Sequence, residues 1–268
     1  VDRLSLVGAP ARIGLSSVGV GIHLVGGGWP PEDDGAVYRE FLSEAAELAL
    51  REGRLEGPRV VIVLVRDGDA PEKYAELRAA LDLITEFEPV PVLLAEGRLV
   101  DPRVLVGSHG ILVWGGLTPA YRDSLAPAFD EIRRQVSAGV PYLGFSAGAA
   151  IASEQALLGG WKIGEVEVSP QEASEDLDEI TLGEGIGLID LAVDVHAAQW
   201  GTLSRLIAAT EAGLTDSGVA IDEHTALIVG DGPLRVVGRG SVWTVTLVDG
   251  AVRVATMGEL SDDPELDV

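Results

Sequence analysis

Gly144, Phe145, Ser146, Ala147 and Gly148 match the spacing G-x-S-x-G, set between an apolar run and an Ala-rich stretch able to start a helix. A serine on a sharp strand-to-helix turn lifts its hydroxyl above the sheet edge, where it can attack a carbonyl. Small neighbours are required there, because Cβ atoms on either side would crowd the turn. The helix N-terminus also favours negative charge developing at that point. The same five residues fit a plain helix N-cap followed by small packing residues, so the pentapeptide alone leaves catalysis and structure both open.

A serine nucleophile needs a base, normally histidine, oriented by a carboxylate. The chain has four histidines. His23 lies inside an apolar strand pattern and His109 just before one, which suits structural or exposed roles. His224, in DEHTAL beside a carboxylate, fits either role. His196 follows Asp194 at the end of an apolar run over 188–195 and precedes a helix. That places it in a strand-end loop, on the side where α/β sites form. With no cysteine, disulfides, thiolate metal sites and cysteine nucleophiles are excluded. Neither H-x-x-x-H nor another dense ligand spacing occurs, and the dinucleotide fingerprint is missing, so no metal and no cofactor are implied. A loop of Gly26, Gly27 and Gly28 could cradle a phosphate, but it lacks G-x-x-x-x-G-K-[ST], and Trp29, Pro30 and Pro31 oppose an immediate helix. It reads as a turn in the wall of a site.

Positioning such residues takes an ordered scaffold. Short β-branched runs bounded by Gly or Pro alternate with helical patterns, the order of βαβ units and a mainly parallel sheet. Strands are predicted over 18–25, 60–65, 90–94, 110–114 and 140–145, with helices over 35–54, 72–87 and 119–137 between them. A helix over 202–212 is followed by short strands over 218–221, 226–229, 235–237 and 242–248, and Asp249 and Gly250 suit a hairpin turn into 252–255. The acidic stretch 165–184, carrying Glu167, Glu172, Glu175, Asp176, Asp178 and Glu179, has little periodicity and reads as a solvated excursion or lid. The fold class is therefore α/β, with a single domain over 1–258 and an acidic tail over 259–268.

Composition narrows the partners. The chain is 47% apolar and 23% charged, ordinary globular usage, with a formal net charge of −24. Such a field repels nucleic acid and anionic membrane surfaces, which need Lys and Arg to release counterions. Residues 1–28 hold no compact basic, apolar and cleavage-site sequence, and no apolar run reaches about 18 residues, so a cytoplasmic location is the default expectation, although the chain starts at Val1 and a leader could have been removed.

GFSAGAA at 144–150, DVHAAQWGTLSRL at 194–206 and VAIDEHTAL at 219–227 resemble the three signature regions of peptidase family S51. That family includes cyanophycinase and the aspartyl dipeptidase peptidase E, within the class I glutamine amidotransferase-like fold. Gly115 and Gly116 after a buried strand resemble the family's G-G turn, and GIGLI at 185–189 resembles the segment leading into its histidine strand. The likeness runs from about 19 to 229, with its specific part in the last half. It implies a three-layer sandwich around a mainly parallel sheet, with short antiparallel strands near the C-terminus. It also implies a serine-type peptidase or amide hydrolase: Ser146 as nucleophile, His196 as base and then acid, Glu223 orienting His196, and the backbone N–H groups of Gly116 and Ala147 as oxyanion donors. One such donor is worth roughly 3 to 4 kcal/mol of transition-state stabilisation. Asp190 and Asp194, which precede His196, and Glu165, between Ser146 and His196, are the other acids to weigh. Some family members suggest a homodimer.

Departures from the family pattern bear on the substrate, a small peptide or amide. Leu117 and Thr118 stand where the family places a polar residue after the G-G turn. Ala197 replaces a common aromatic, and Gln199, Trp200, Gly201 and Thr202 replace an Arg-rich pattern of which Arg205 is kept. Burying a substrate carboxylate calls for a bidentate cation, so these changes imply altered specificity, with Leu117, Gln199 and Trp200 as candidate substrate-binding residues. Two alternatives remain beside the hydrolase: a catalytically inactive binding or scaffold domain of the same fold, and an ordinary α/β-hydrolase esterase using Asp190 or Asp194.

Overall fold

A computed structural model describes residues 21–29 and 35–259. The beginning of the first predicted strand, Pro30, Pro31 and the acidic tail from 260 onward lie outside the described residues.

The chain opens with β1 (Ile22–Val25), α1 (Ala36–Arg51), β2 (Arg59–Val65), α2 (Ala70–Asp82) and β3 (Glu88–Leu94). It continues with β4 (Gly110–Val113), α3 (Thr118–Leu125), α4 (Phe129–Ser137), β5 (Tyr142–Phe145) and the short α5 (Ala147–Ala150). An excursion follows: β6 (Gln155–Gly159), β7 (Lys162–Ile163), β8 (Val166–Glu167) and β9 (Thr181–Glu184). Then come β10 (Ala192–Val195), α6 (Ala197–Trp200), α7 (Leu203–Glu211), β11 (Ser217–Ile221), β12 (Thr225–Val229), β13 (Arg235–Gly238), β14 (Val242–Val248) and β15 (Ala251–Met257).

Seven strands form the central sheet in the order β13-β12-β1-β5-β4-β2-β3. From β1 to β3 all pairings are parallel, while β12 and β13 are added antiparallel at one edge. Alternation along β2 explains the layers. Val60, Ile62 and Leu64 pack with Tyr38, Phe41 and Leu42 of α1 and Leu77 and Leu81 of α2. Val61, Val63 and Val65 face the other way, toward Tyr121 and Leu125 of α3 and Phe129 and Ile132 of α4. A sheet covered on both faces needs apolar residues at every position, and the run RVVIVLV supplies them.

Four further strands build a second sheet, β10-β11-β14-β15, with β10 and β11 parallel and the rest antiparallel, while β6 pairs with β9 and β7 with β8 in two short ribbons. Val193, Val195, Val219 and Ile221 of this sheet join the core cluster that also holds Ala147 and Ala149 of α5. The expected C-terminal antiparallel strands are thus divided: β12 and β13 extend the central sheet, and β14 and β15 form a hairpin on the second.

Three expectations need correction. The predicted helix over 119–137 is two helices separated by a 3-10 turn, Ala126–Ala128, because Pro127 lacks an N–H and its ring clashes with the carbonyl four residues back. The helix predicted to reach Phe87 ends at Asp82, and β3 starts at Glu88 with Pro89 and Pro91 tolerated on an edge strand. The stretch 165–184 is only partly a solvated excursion. Glu165, Val166 and Glu167 are exposed, but β9 pairs with β6 and Ala173 is buried.

Candidate active site

Ser146 follows directly on β5, at φ 53° and ψ −110°, a conformation that side-chain-bearing residues avoid unless the surroundings impose it. The backbone on both sides is fixed to neighbouring strands. Ser146 N–H donates to the Val25 carbonyl at 2.9 Å, and Gly148 N–H donates to the Trp114 carbonyl at 3.1 Å. A Cβ on Gly148 would overlap the Val113 carbonyl, so the turn can lie against β4 only with glycine there. The G-x-S-x-G pattern thus marks a real constriction.

His196 follows β10 in the left-handed region, at φ 57° and ψ 37°. Its N–H donates to the Gly26 carbonyl at 2.9 Å, and His224 N–H donates to the Gly27 carbonyl at 2.8 Å. Gly26 N–H in turn donates to the Thr225 carbonyl at 3.0 Å. The glycine loop after β1 is therefore the brace between the two loops that carry His196 and Glu223. At Gly27, with φ +106°, a Cβ would overlap the His196 ring.

These loops bring three side chains into series. Ser146 Oγ lies 2.8 Å from His196 Nε2, and His196 Nδ1 lies 2.7 Å from Glu223 Oε1. Ser146 and His196 are both buried, whereas Glu223 is half-buried. Burial pushes the imidazole below its ordinary value of 6.5, against the opposing pull of the Glu223 carboxylate. An imidazole so placed is neutral at pH 7 and able to accept a proton at Nε2, with Nδ1–H donating to Glu223.

Beside Ser146 is a cavity of about 420 Å³. Trp29, Trp114 and Phe145 form an apolar wall, with the Trp114 and Phe145 rings stacked at 3.9 Å. Arg66 and Lys73 also line it, as do Glu172, Glu175 and Asp176. Gly116 lines the same cavity. Ala147 is the first residue of α5, where a helical N–H has no carbonyl a turn earlier to accept it. Gly115 is fixed from behind by Tyr121, whose hydroxyl donates to the Gly115 carbonyl at 3.0 Å.

Of the candidate substrate-binding residues, Leu117 and Trp200 line the cavity. The Trp200 ring stacks on His196 at 3.9 Å, with the two ring planes nearly parallel. Gln199 lies outside the lining: its side-chain oxygen accepts from Glu223 N–H at 2.9 Å and so steadies the loop that bears the carboxylate. Asp194 is buried in a two-pronged pair with Arg205, at 2.9 and 2.7 Å, and Asp190 and Glu165 are exposed. His23 is buried against Glu44, and His109 accepts from Arg59 N–H through Nδ1 at 3.0 Å, away from Ser146 as their strand patterns imply. No group of metal-ligating side chains occurs among the described residues.

Several cavity residues escaped the sequence. Trp114 carries no motif, and Arg66 and Lys73 sit in ordinary helix-start context. Asp222, outside the cavity, was missed as well: its carboxylate accepts from Ala198 N–H at 3.0 Å, Ser241 N–H at 2.9 Å and Trp243 Nε1–H at 3.2 Å, tying together the loops around His196. Its place beside Glu223 in DEH was the only available signal.

No family model matches the chain. A cyanophycinase of Synechococcus elongatus is 40% identical over 125 residues, 46% of this chain and 35% of that protein. A cyanophycinase of Trichormus variabilis is 36% identical over 126 residues, 46% of this chain and 38% of that protein. The match therefore spans little more than a third of these relatives' length. Among solved structures, a peptidase from an acI-B1 Actinobacterium superposes with a TM-score of 0.62 at 18% identity, covering 91% of this chain and 96% of that one. Homologous sequence over nearly half the chain, and a common fold over most of it, bear out the resemblance to peptidase family S51 that the motifs carry.

Proposed function

We propose that the chain is a serine-type peptidase or amide hydrolase that works through Ser146, His196 and Glu223. The observation that carries this is the unbroken hydrogen-bonded series from Ser146 Oγ through the imidazole to Glu223, opening on a cavity with Gly116 on its wall. Ser146 Oγ attacks the carbonyl carbon while its proton passes to His196 Nε2, and Glu223 stabilises the imidazolium. The carbonyl oxygen becomes an oxyanion held by the N–H groups of Gly116 and Ala147. Collapse breaks the C–N bond, the leaving nitrogen takes the proton from Nε2, and an acyl ester remains on Ser146. Water then gives a proton to Nε2 and attacks the ester, releasing the acid and restoring the serine.

The substrate is a small peptide or amide, and its specificity differs from that of the relatives named cyanophycinase. Leu117 and Trp200 supply apolar surface at the site, and Arg205 is committed to Asp194 and to backbone carbonyls instead of facing the cavity. Arg66 and Lys73 are the cations in its lining. A fluorophosphonate is expected to label the native protein and to leave Ser146→Ala unlabelled; equal labelling of the variant refutes the assignment. Dipeptides varied at both ends, β-linked aspartyl ones included, then define the substrate.

A further inference from the structure

Glu175 stands within the former lid stretch, and the Ser146, His196 and Glu223 series makes no use of it. Glu175 and Asp176 are both left-handed, at φ 56° and 59°. Two successive residues in that region persist only where their surroundings over-determine them. Here the restraint comes from both flanks. Gly160 N–H and Leu177 N–H donate to the Ser174 carbonyl, at 2.8 and 3.1 Å. Arg205, buried on α7, donates through Nη1 to the carbonyls of Ala173 at 2.6 Å and Gly160 at 3.3 Å. So held, Glu175 projects into the cavity, and its Oε2 accepts from Thr118 N–H at 2.8 Å.

Thr118 is the first residue of α3, and the residue before it is Leu117, whose side chain cannot accept a hydrogen bond. First-turn N–H groups need an acceptor from somewhere. Position 117 is also where a polar residue was expected after the G-G turn. Glu175 supplies an acceptor for this first-turn amide from 57 residues further along the chain. Gly116 is two residues from the amide so fixed, and Tyr121 holds Gly115 from behind.

We infer that Glu175 is a positioning residue: a helix cap delivered across the cavity that holds the turn of Gly115, Gly116 and Leu117, and so keeps the Gly116 N–H aimed at the oxyanion. This rests on the serine-hydrolase function proposed above. Burial raises the Glu175 carboxyl above its ordinary value while the Thr118 N–H and Arg205 pull it back, as expected of a group retained at a dry site by the bond it makes. An acidic residue in the lid is thereby given a role distinct from solvation or substrate contact.

Fluorophosphonate labelling reads this directly, because the phosphoryl oxygen takes the oxyanion's place. In Glu175→Met, similar in length but without an acceptor, the maximal labelling rate is expected to fall roughly ten- to hundredfold, the scale of a small misplacement at a reacting centre, with the reversible binding constant of the probe little changed. Glu175→Gln keeps an acceptor oxygen and is expected to stay within about threefold of wild type, the scatter usual for a kept contact. Amide exchange at Thr118 should speed up in the Met variant and not in the Gln variant. Equal labelling rates in wild type and Glu175→Met, or a Gln variant as slow as the Met one, overturn the inference. Should Glu175→Met fail to fold, Glu175→Ala is read in its place by the same two measurements. A wild-type chain that never labels removes the serine-hydrolase function itself, and the inference with it, which separates the two failures.

Discussion

Glu223 acts on His196 in two ways that pH can separate. Its carboxylate raises the affinity of the imidazole for a proton, yet burial outweighs it and leaves the value below 6.5. On the proposed mechanism His196 accepts a proton only when neutral, so the acid limb of the rate profile is expected below pH 6.5, with activity flat above it and lost as His196 protonates. Glu223→Gln removes the carboxylate's upward pull and leaves burial, so that limb should move further toward acid. At the same time the imidazolium loses its counter-charge, and the plateau is expected to fall by about two to four orders of magnitude, the scale known for such amide replacements. Measuring rate against pH for both proteins checks the two effects together; a limb that moves toward neutral pH contradicts the assignment. The residue-level part of the site was largely legible in advance, because Ser146 and His196 sit at strand ends with short local patterns. Glu223 was readable only by resemblance, since its contact with His196 depends on a loop crossing that no local spacing reports.

At the scale of elements, the loops dominate. The glycine loop after β1 is also a brace, because the carbonyls of Gly26 and Gly27 accept the N–H groups of His196 and His224. Its lack of a phosphate motif is visible in the sequence; its partners, about 170 to 200 residues away, are not. The excursion between β6 and β9 was misread for a related reason. Acidic residues without periodicity look solvated, but Arg205 reaches from α7 to the carbonyls of Gly160 and Ala173 and turns the segment inward. Arg205 also satisfies Asp194 with two bonds, both side chains being almost fully buried. Removing one partner of such a pair leaves a buried charge uncompensated, so Arg205→Ala is expected to destabilise the fold by about 3 to 5 kcal/mol. Denaturant melts of both proteins test this, and a loss under about 1 kcal/mol, typical of exposed pairs, would show the clamp to be slack. The split of the helix at Pro127 and the early end of α2 belong with the ordinary limits of pattern reading, since the helical period continues past both breaks.

At the scale of the molecule, the candidate site lies at the seam between the seven-stranded and the four-stranded sheet. Ser146 stands at the end of β5 in the central sheet, His196 follows β10 in the second, and Glu223 lies in the loop that passes from β11 in the second to β12 in the central. The parallel order was legible from the alternation of runs and helices, whereas the second sheet was not, because short C-terminal strands carry no label saying which sheet they join. Loosening the seam should separate base from nucleophile before either sheet melts. Hydrolysis, or labelling of Ser146, is therefore expected to fail at a lower urea concentration than the far-ultraviolet circular dichroism does; coincident transitions would show the seam to be as strong as the sheets. The order of the parts along the chain has a further result during synthesis. Ser146 emerges first; His196 follows about fifty residues later and Glu223 nearly eighty, and β1 gains its antiparallel neighbour β12 only after both. On the proposed mechanism, a nascent chain cut before Glu223 is therefore expected to carry a serine without its full set of partners, and reactivity is expected only once β12 has been made and paired.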